Sequence, residues 1–401
     1  GIEPIGSLTQ AQVQAALLAA TAAPSLHNSQ PWQLRCTSSS FELHADLSRE
    51  MRAADPDHRE MFVACGAALL NLRLAVRALG IAAHVHLMPD PLRPILLALI
   101  SPGDGVVPTA GDAELATAIF RRHTNRHPFL DEPVAEVACH RLRQAARTEQ
   151  SWFAVVPNDM QAAVRTMLAA AHRLQLADPE LLAEWQQWTG RNPGLDDGMA
   201  TTSGGLKPEQ QDPWVMRDFP DGQQQERIAG KDFESGPMVA VIGSLDDNPL
   251  AQLKAGQAMQ RVLLSATADG LSALFLSQVV EIPETRRELR DLIGDGLWPQ
   301  AVLRLGYGTP ATSTVTQSSA AGHEPRSGRF QEMTDPLLID MAPSKPSTLR
   351  RHIRIACTRR IRHRQGTDLH RPANEPGSTR RYLAALGLDH RAAAARVDAV
   401  G

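Results

Sequence analysis

Apolar residues recur at helical spacing from Leu8 to Ala23, where Val13, Ala16, Leu17 and Ala20 share one face, and Pro24 stops the run. A loop, Ser25 to Pro31, follows. Residues 32 to 46 alternate as two short strands joined by a Ser-rich turn, and Met61 to Leu79 forms a long apolar helix ending at Gly80. His84 to Leu87 and Pro94 to Ile100 are predicted strands. After a Pro/Gly-rich break, Ser101 to Gly111, a second round begins: helix 112–120, an Arg-rich segment, helix 137–146 and strand 152–156. Residues 158 to 235 interrupt it with two predicted helices and a polar stretch, Asn192 to Gln225, rich in Gly, Asp, Gln and Pro. An irregular insertion of that length is uncommon and usually functional. Then come strand 238–242, helix 250–269, strand 273–280, helix 286–293 and a last strand, 301–305.

The two rounds align. A shift of 190 residues lays Gly66 on Gly256, Ala68 on Ala258, Leu74 on Leu264, Ala78 on Ala268, Gly80 on Gly270 and Ala83 on Ala273. Each round runs helix, Trp-containing strand, long helix, Gly, strand. The expected domains are therefore 1–110 and 111–310, each an α+β half with a mixed sheet flanked by helices. The second carries the insertion 158–235, and residues 311–401 form a tail.

The 401 residues are 43% hydrophobic, enough for a sizeable core. No apolar run approaches the roughly 20 residues that span a bilayer, and no basic-then-apolar leader opens the chain. A cytoplasmic location is the expectation. Cys36, Cys65, Cys139 and Cys357 are widely spaced with no C-x-x-C pair, which argues for reduced thiols rather than a disulfide framework or a metal site. The net charge of −3 conceals an uneven distribution. Residues 311–401 hold 15 Arg and Lys against 8 Asp and Glu, leaving the first 310 residues at −10. The tail lacks the aromatic interleaving of a nucleic-acid module, so disorder, not nucleic-acid binding, is expected there.

Three segments carry candidate chemistry. Pro24-Ser25-Leu26-His27-Asn28-Ser29-Gln30-Pro31-Trp32 is a loop bounded by prolines, whose polar side chains offer the donors and acceptors that a heteroaromatic ring edge needs. Such residues also form Asx and Ser turns for purely structural reasons. Arg121-Arg122-His123-Thr124-Asn125-Arg126 places several cations and a hydroxyl within six residues. That suits a phosphate, because charge-assisted hydrogen bonds are roughly twice as strong as neutral ones; a solvated basic turn is the plainer alternative. Gly270-Leu271-Ser272-Ala273 and the strand to Ser277-Gln278 could bring backbone N–H groups against a flat ligand, or simply be a capped, buried strand.

Together these strings resemble the FMN-dependent nitroreductases over about residues 8–310: P-S-x-x-N-x-Q-P-W, R-H-T-x-R, the D-E-P-V that follows, and the closing L-R-L-G-Y. More narrowly, the two-copy layout and the wording P-S-L-H-N-S-Q-P-W resemble the Acg family of NAD(P)H nitroreductases. The resemblance implies a nitroreductase-like α+β fold with two copies fused as an intramolecular pseudo-dimer, and FMN at the seam. It implies that Arg122, His123, Thr124 and Arg126 lie around phosphate and ring edge. Pro24, Ser25, Leu26, Asn28 and Gln30 would come from the facing loop, Lys231 would bind the ring, and Ser277 and Gln278 would lie over the reactive flavin nitrogen.

The first copy has no arginine before its Pro-Ser loop, and the second copy's counterpart of the loop, Arg147 to Trp152, lacks Pro-Ser and Asn. One complete site, one FMN and a monomeric chain follow. The basic residues that nitroreductases carry just past the terminal Gly-Tyr are absent at Gly308-Thr309-Pro310. The flavin carries the chemistry in this family, so no catalytic side-chain pair is sought. The implied activity is electron transfer from NAD(P)H to nitroaromatics, quinones or similar acceptors. The rival expectation is an FMN-sequestering protein whose insertion, with Trp185, Trp188 and Trp214, covers the ring, although tryptophans more often pack an insertion against its own core.

Overall fold

The computed structural model describes residues 3–189, 197–199, 214, 237–294 and 296–308. Lys231, most of the polar stretch Asn192 to Gln225 and the tail 311–401 lie outside the described residues. The chain opens with α1 (Gln10–Thr21), whose Thr9 and Gln12 exchange bonds across a capping box. Then follow β1 (Trp32–Cys36), β2 (Phe41–Ala45), α2 (Arg59–Ala78), β3 (Ile81–Leu87) and β4 (Leu96–Gly105). The four strands form one sheet in the order β1-β2-β4-β3.

The second series is α3 (Ala110–Ala118), α4 (Glu136–Thr148), β5 (Trp152–Val155), α5 (Gln161–Leu176) and α6 (Pro179–Trp188). It continues with β6 (Met238–Ser244), α7 (Pro249–Ala268), β7 (Ser272–Phe275), α8 (Gln278–Glu281), α9 (Pro283–Ile293) and β8 (Trp298–Gly306). Its sheet has the order β5-β6-β8-β7, the same path as the first. Residue 110, near which the boundary was expected, is the first residue of α3.

The likeness extends to single residues 190 apart. Both long helices stop at a residue with φ −79° and ψ 3°, Leu79 and Asp269, followed by left-handed glycines, Gly80 (φ 76°) and Gly270 (φ 75°). At a different spacing, 120 residues, a left-handed glutamine stands two residues before each sheet's first Trp, Gln30 (φ 50°) and Gln150 (φ 59°).

Helices α2 and α7 pack against each other at Gly66 and Gly256. A methyl group on Gly66 would lie 2.2 Å from Leu253 O, and one on Gly256 would lie 2.0 Å from Val63 O. Only glycine lets the two backbones approach so closely. One apolar cluster runs from α1 and β1 through α2 and α7 to β6 and β8, so both sheets share a core. Arg77 of α2 grips Asp112 of α3 with two bonds of 3.1 and 3.0 Å.

Three sequence expectations need correction. The four named strands of each sheet pair antiparallel, where a mixed sheet was expected, and the parallel link to the second sheet among the described residues is the single bridge Thr124–Ala273. The strand expected over 273–280 stops at Phe275, and Gln278–Glu281 is a single helical turn. And α2 does reach the length and hydropathy of a membrane span, with a mean of 1.5 over its best window. That window is 78% buried within the protein, so its apolarity serves the core.

Candidate functional site

The Pro24 loop and the Arg122 segment leave from one apolar cluster. Ala19 and Ala22 at the end of α1 pack with Leu115, Ala118 and Ile119 at the end of α3, over Leu70, Leu74 and Leu264. Two residues beyond Ala22 the chain reaches Pro24, and three beyond Ile119 it reaches Arg122. The core of α2 and α7 thus fixes where both segments begin.

Pro24 ends α1 by disfavouring helical backbone in the residue before it. The loop then forms a tight 3₁₀ turn, Leu26–Asn28, with left-handed backbone at His27 (φ 48°), Asn28 (φ 54°) and Gln30 (φ 50°). Left-handed backbone costs an L-residue on the order of 1–2 kcal/mol, so contacts must hold this loop. The Ser25 hydroxyl accepts from Gln30 N at 2.9 Å, and Arg49 donates to Ser29 O at 2.6 Å.

The insertion braces the loop from outside. Gly198 N donates to Asn28 O, and the Asn28 amide donates to Gly198 O, both at 3.1 Å. Arg49 pairs with Asp197 at 2.9 Å. Trp185 and Trp188 of α6 are buried with Met51, Ala54 and Leu181, and the Trp185 ring lies 5.9 Å from that of His27. Trp214 is buried on the second sheet's outer cluster with Arg165 over its ring. All three tryptophans pack protein surfaces. Behind the loop lies a small, partly open pocket of about 10 Å³, lined in part by Leu26, Ser29, Arg49, Asp55 and Glu60.

The Arg122 segment is anchored to the second sheet. Thr124 bridges to Ala273 in parallel, and Asn125 N donates to Ala273 O at 2.9 Å. The Asn125 side chain, 1% exposed, donates to Ser272 Oγ at 3.2 Å and accepts from His127 N at 3.0 Å. The approach is close enough that a methyl on Gly308 would lie 2.4 Å from Asn125 Nδ2. Arg304, buried in β8, donates to His127 O at 2.7 Å and stacks 4.2 Å from the centre of the Phe129 ring. The second and third sequence segments are therefore one structural unit. Asn125 and Arg304, absent from the candidate set, hold it. An arginine inside the apolar run Ala-Val-Leu-Arg-Leu was the available signal, since a charge in such a strand needs partners.

Within this unit Arg122 stands out. Its guanidinium is half-buried, its Nε is inaccessible and unpartnered, and no carboxylate meets it among the described residues. Burial alone pulls its pKa down to about 10. A desolvated cation without a counter-ion is costly, and an anion would relieve that cost. His123 lies beside it, its Nδ1 3.0 Å from Arg121 O. At the other end, Ser277 O accepts from Val280 N and Glu281 N to start α8, and Gln278 is 3% exposed with its Nε2 unpartnered among the described residues. Pro24, Ser25 and Leu26 are half-buried, Asn28 is exposed, and Arg126 and Thr124 are half-buried.

The counterpart of the loop before Trp152 is built otherwise. Glu149, 6% exposed, receives Arg73 of α2 at 2.7 Å and Arg261 of α7 at 2.7 Å. Burial would raise its carboxyl, but the two arginines overcome that and hold it below the usual glutamate range. No group of three or more His, Cys, Asp or Glu residues among the described ones could hold a metal ion.

The nitroreductase family model matches residues 119–307. Two Mycobacterium tuberculosis (strain ATCC 25618 / H37Rv) proteins are similar over most of the chain. "Putative NAD(P)H nitroreductase Rv3131" is 34% identical over 298 residues, 74% of this chain and 85% of the relative. "Putative NAD(P)H nitroreductase acg" is 32% identical over 305 residues, 76% of this chain and 91% of the relative. Among solved structures, a Bacteroides fragilis nitroreductase with bound FMN aligns with a TM-score of 0.29 and 14% identity, over 56% of this chain and 98% of that one.

Proposed function

Because the chain belongs to the nitroreductase family, we propose that it is an FMN-dependent oxidoreductase passing electrons from NAD(P)H to nitroaromatics, quinones or similar acceptors. The observation that carries this reading is Arg122, a half-buried guanidinium without a counter-ion among the described residues, on the segment that also presents His123, Thr124 and Arg126. A flavin phosphate is the anion that fits it. Gln278, a buried amide with an unpartnered donor, fits the polar edge or reactive face of a flavin ring.

Bound FMN would supply two-electron hydride chemistry; the protein's residues bind and orient it. Arg122 and Arg126 would neutralise the phosphate, and His123 and Thr124 would bond phosphate or ring edge. The rigid loop at Pro24, Ser25, Leu26, Asn28 and Gln30 would close the site from the first half, and Ser277 and Gln278 would back the ring from the second. Asn28 already bonds Gly198, so its contribution is to shape the loop as well as to touch the ligand.

The same reading makes the chain a fused pseudo-dimer with one site. The common strand order, the glycine crossing of α2 and α7, and the matched left-handed residues Gly80/Gly270 and Gln30/Gln150 support it. Glu149 with its two arginines takes the position of a second loop. The halves would be 1–110 and 111–310 with the insertion 158–235, and the chain would act as a monomer.

Titration with FMN, followed by flavin fluorescence, and anaerobic reduction by NADH and NADPH test this. One FMN per chain and bleaching of its visible absorption are expected. Two FMN per chain would end the one-site reading, and no uptake would end the cofactor assignment. A bound flavin that neither nicotinamide bleaches would end the reductase reading.

A further inference from the structure

Arg59 opens α2 in the first half, yet its guanidinium ends in the second. Nη1 donates to Gln300 O of β8 at 2.6 Å, and Nη2 donates to Val280 O of α8 at 3.0 Å and to Glu60 Oε1 at 2.6 Å. The residue is 6% exposed. Its surroundings keep it charged: burial opposes the cation, and Glu60, Asp55 and Glu281 more than compensate. Asp55 in turn accepts from Glu60 N and Met61 N, both at 2.9 Å, so the start of α2 that carries Arg59 is itself fixed.

The receiving element cannot hold itself. Four residues make a single turn, and an isolated turn is unfavourable because few hydrogen bonds offset the dihedrals that it fixes. The carbonyls that end such a turn need outside donors. For α8 these are the Thr285 hydroxyl, which donates to Val279 O at 2.9 Å, and Arg59, which donates to Val280 O. The other end of the turn is Ser277 and Gln278, with the buried Gln278 amide whose Nε2 has no partner among the described residues. Gln175 of α5 holds Glu281 at 2.6 Å, but through a side chain rather than the turn's backbone.

We propose that Arg59 is a positioning residue for the flavin-facing turn: by bonding Val280 and Gln300 across the seam, it sets the pose of Ser277 and Gln278. The inference rests on the proposed function only in placing that turn at the flavin. It assigns to the first half a control over ring placement separate from the loop at residues 24–30.

The test pairs Arg59→Met with Glu60→Gln, so that the carboxylate bonded directly to the guanidinium is neutralised together with it. For the full chain loaded with FMN, three quantities are read: the FMN dissociation constant, the visible-region circular dichroism of the bound flavin, and the single-turnover rate constant for its bleaching by saturating NADPH. Altered dichroism and a rate constant lowered on the order of 100-fold are expected, the loss that about 1 Å of misplacement brings. The dissociation constant should change far less, since Arg122 is untouched. Arg59→Lys, which keeps the charge but reaches one carbonyl rather than two, should fall between parent and double variant.

A lowered melting midpoint with dichroism and rate constant unchanged would overturn the proposal, leaving Arg59 a merely structural tie. If the double variant does not fold, Arg59→Lys decides alone: both optical readouts equal to the parent's overturn it. Gln278→Ala, measured in parallel, separates the two layers. No effect there removes the turn from the flavin site, whereas an effect there with none at Arg59 sinks only the role given to Arg59.

Discussion

Gly256→Ala probes the contact on which the whole seam depends. A methyl at this position would lie 2.0 Å from Val63 O and 2.7 Å from Val63 C. Ordinary contact between carbon and oxygen begins at roughly 3.4 Å, so α2 and α7 would have to part by more than about 1 Å at their crossing. The neighbours are backbone atoms of a buried helix and cannot rotate away. Overpacking of this kind costs about 1–3 kcal/mol or more. Against it stands the helix preference of Ala over Gly, about 1 kcal/mol in the opposite direction. Since the clash is with backbone at 2.0 Å the upper end of that cost applies, and the balance is a net loss of about 2 kcal/mol or more, with the Pro24 and Arg122 segments displaced because both leave the cluster that this crossing supports. Urea denaturation of the FMN-free chain gives the stability change, and fluorescence titration gives the accompanying loss of FMN affinity. A variant as stable as the parent or more so would refute the reasoning, since only an uncrowded helical glycine gains from the change.

Three further outcomes are expected. Arg122→Met should weaken FMN binding about 10- to 100-fold, the equivalent of one charge-assisted bond, while the FMN-free chain melts no lower because an unpaired desolvated cation has been removed. The Glu149 carboxyl is depressed, so its stabilisation is fully present above its unfolded pKa of about 4.3 and is lost as pH falls through the lower folded value. The parent should therefore be more stable than Glu149→Gln at pH 7, with the gap narrowing as pH falls, as urea midpoints at pH 7 and pH 3 would show; curves that stay parallel would contradict the ion-pair account. Trp185→Ala should cost about 3–5 kcal/mol locally and speed tryptic cleavage within the insertion, with unchanged digestion counting against the brace described for α6.

Much of this architecture was legible because it depends on local chemistry. Gly80 and Gly270 end their helices as left-handed residues, Pro24 stops α1, and Trp32 and Trp152 open their sheets. The run Ser277 to Val280 was misread because Val279 and Val280 favour strands by their branching. What holds them in a turn is one near partner, Thr285 on Val279 O, and one distant in sequence, Arg59 on Val280 O. Strand direction also escaped, since alternation has the same period in either sense. Arginines within α2 obscured its apolarity, yet Arg73 and Arg77 are spent on Glu149 and Asp112. Arg59, at the head of that helix, reads in sequence as a solvated end; nothing local reveals that its partners are more than 200 residues away.

Glu149 carries a lesson about inheritance. Where two identical polypeptides meet, each change of residue is imposed on both sides of the axis at once, and a carboxylate that braces one side must also be tolerated on the other. In a single polypeptide the loops before Trp32 and Trp152 mutate separately. On the fused pseudo-dimer reading proposed above, one of them keeps the shape a ligand requires while the other becomes ballast for the helices beneath, anchored by Arg73 and Arg261. Such a molecule would be free to give up symmetry one residue at a time.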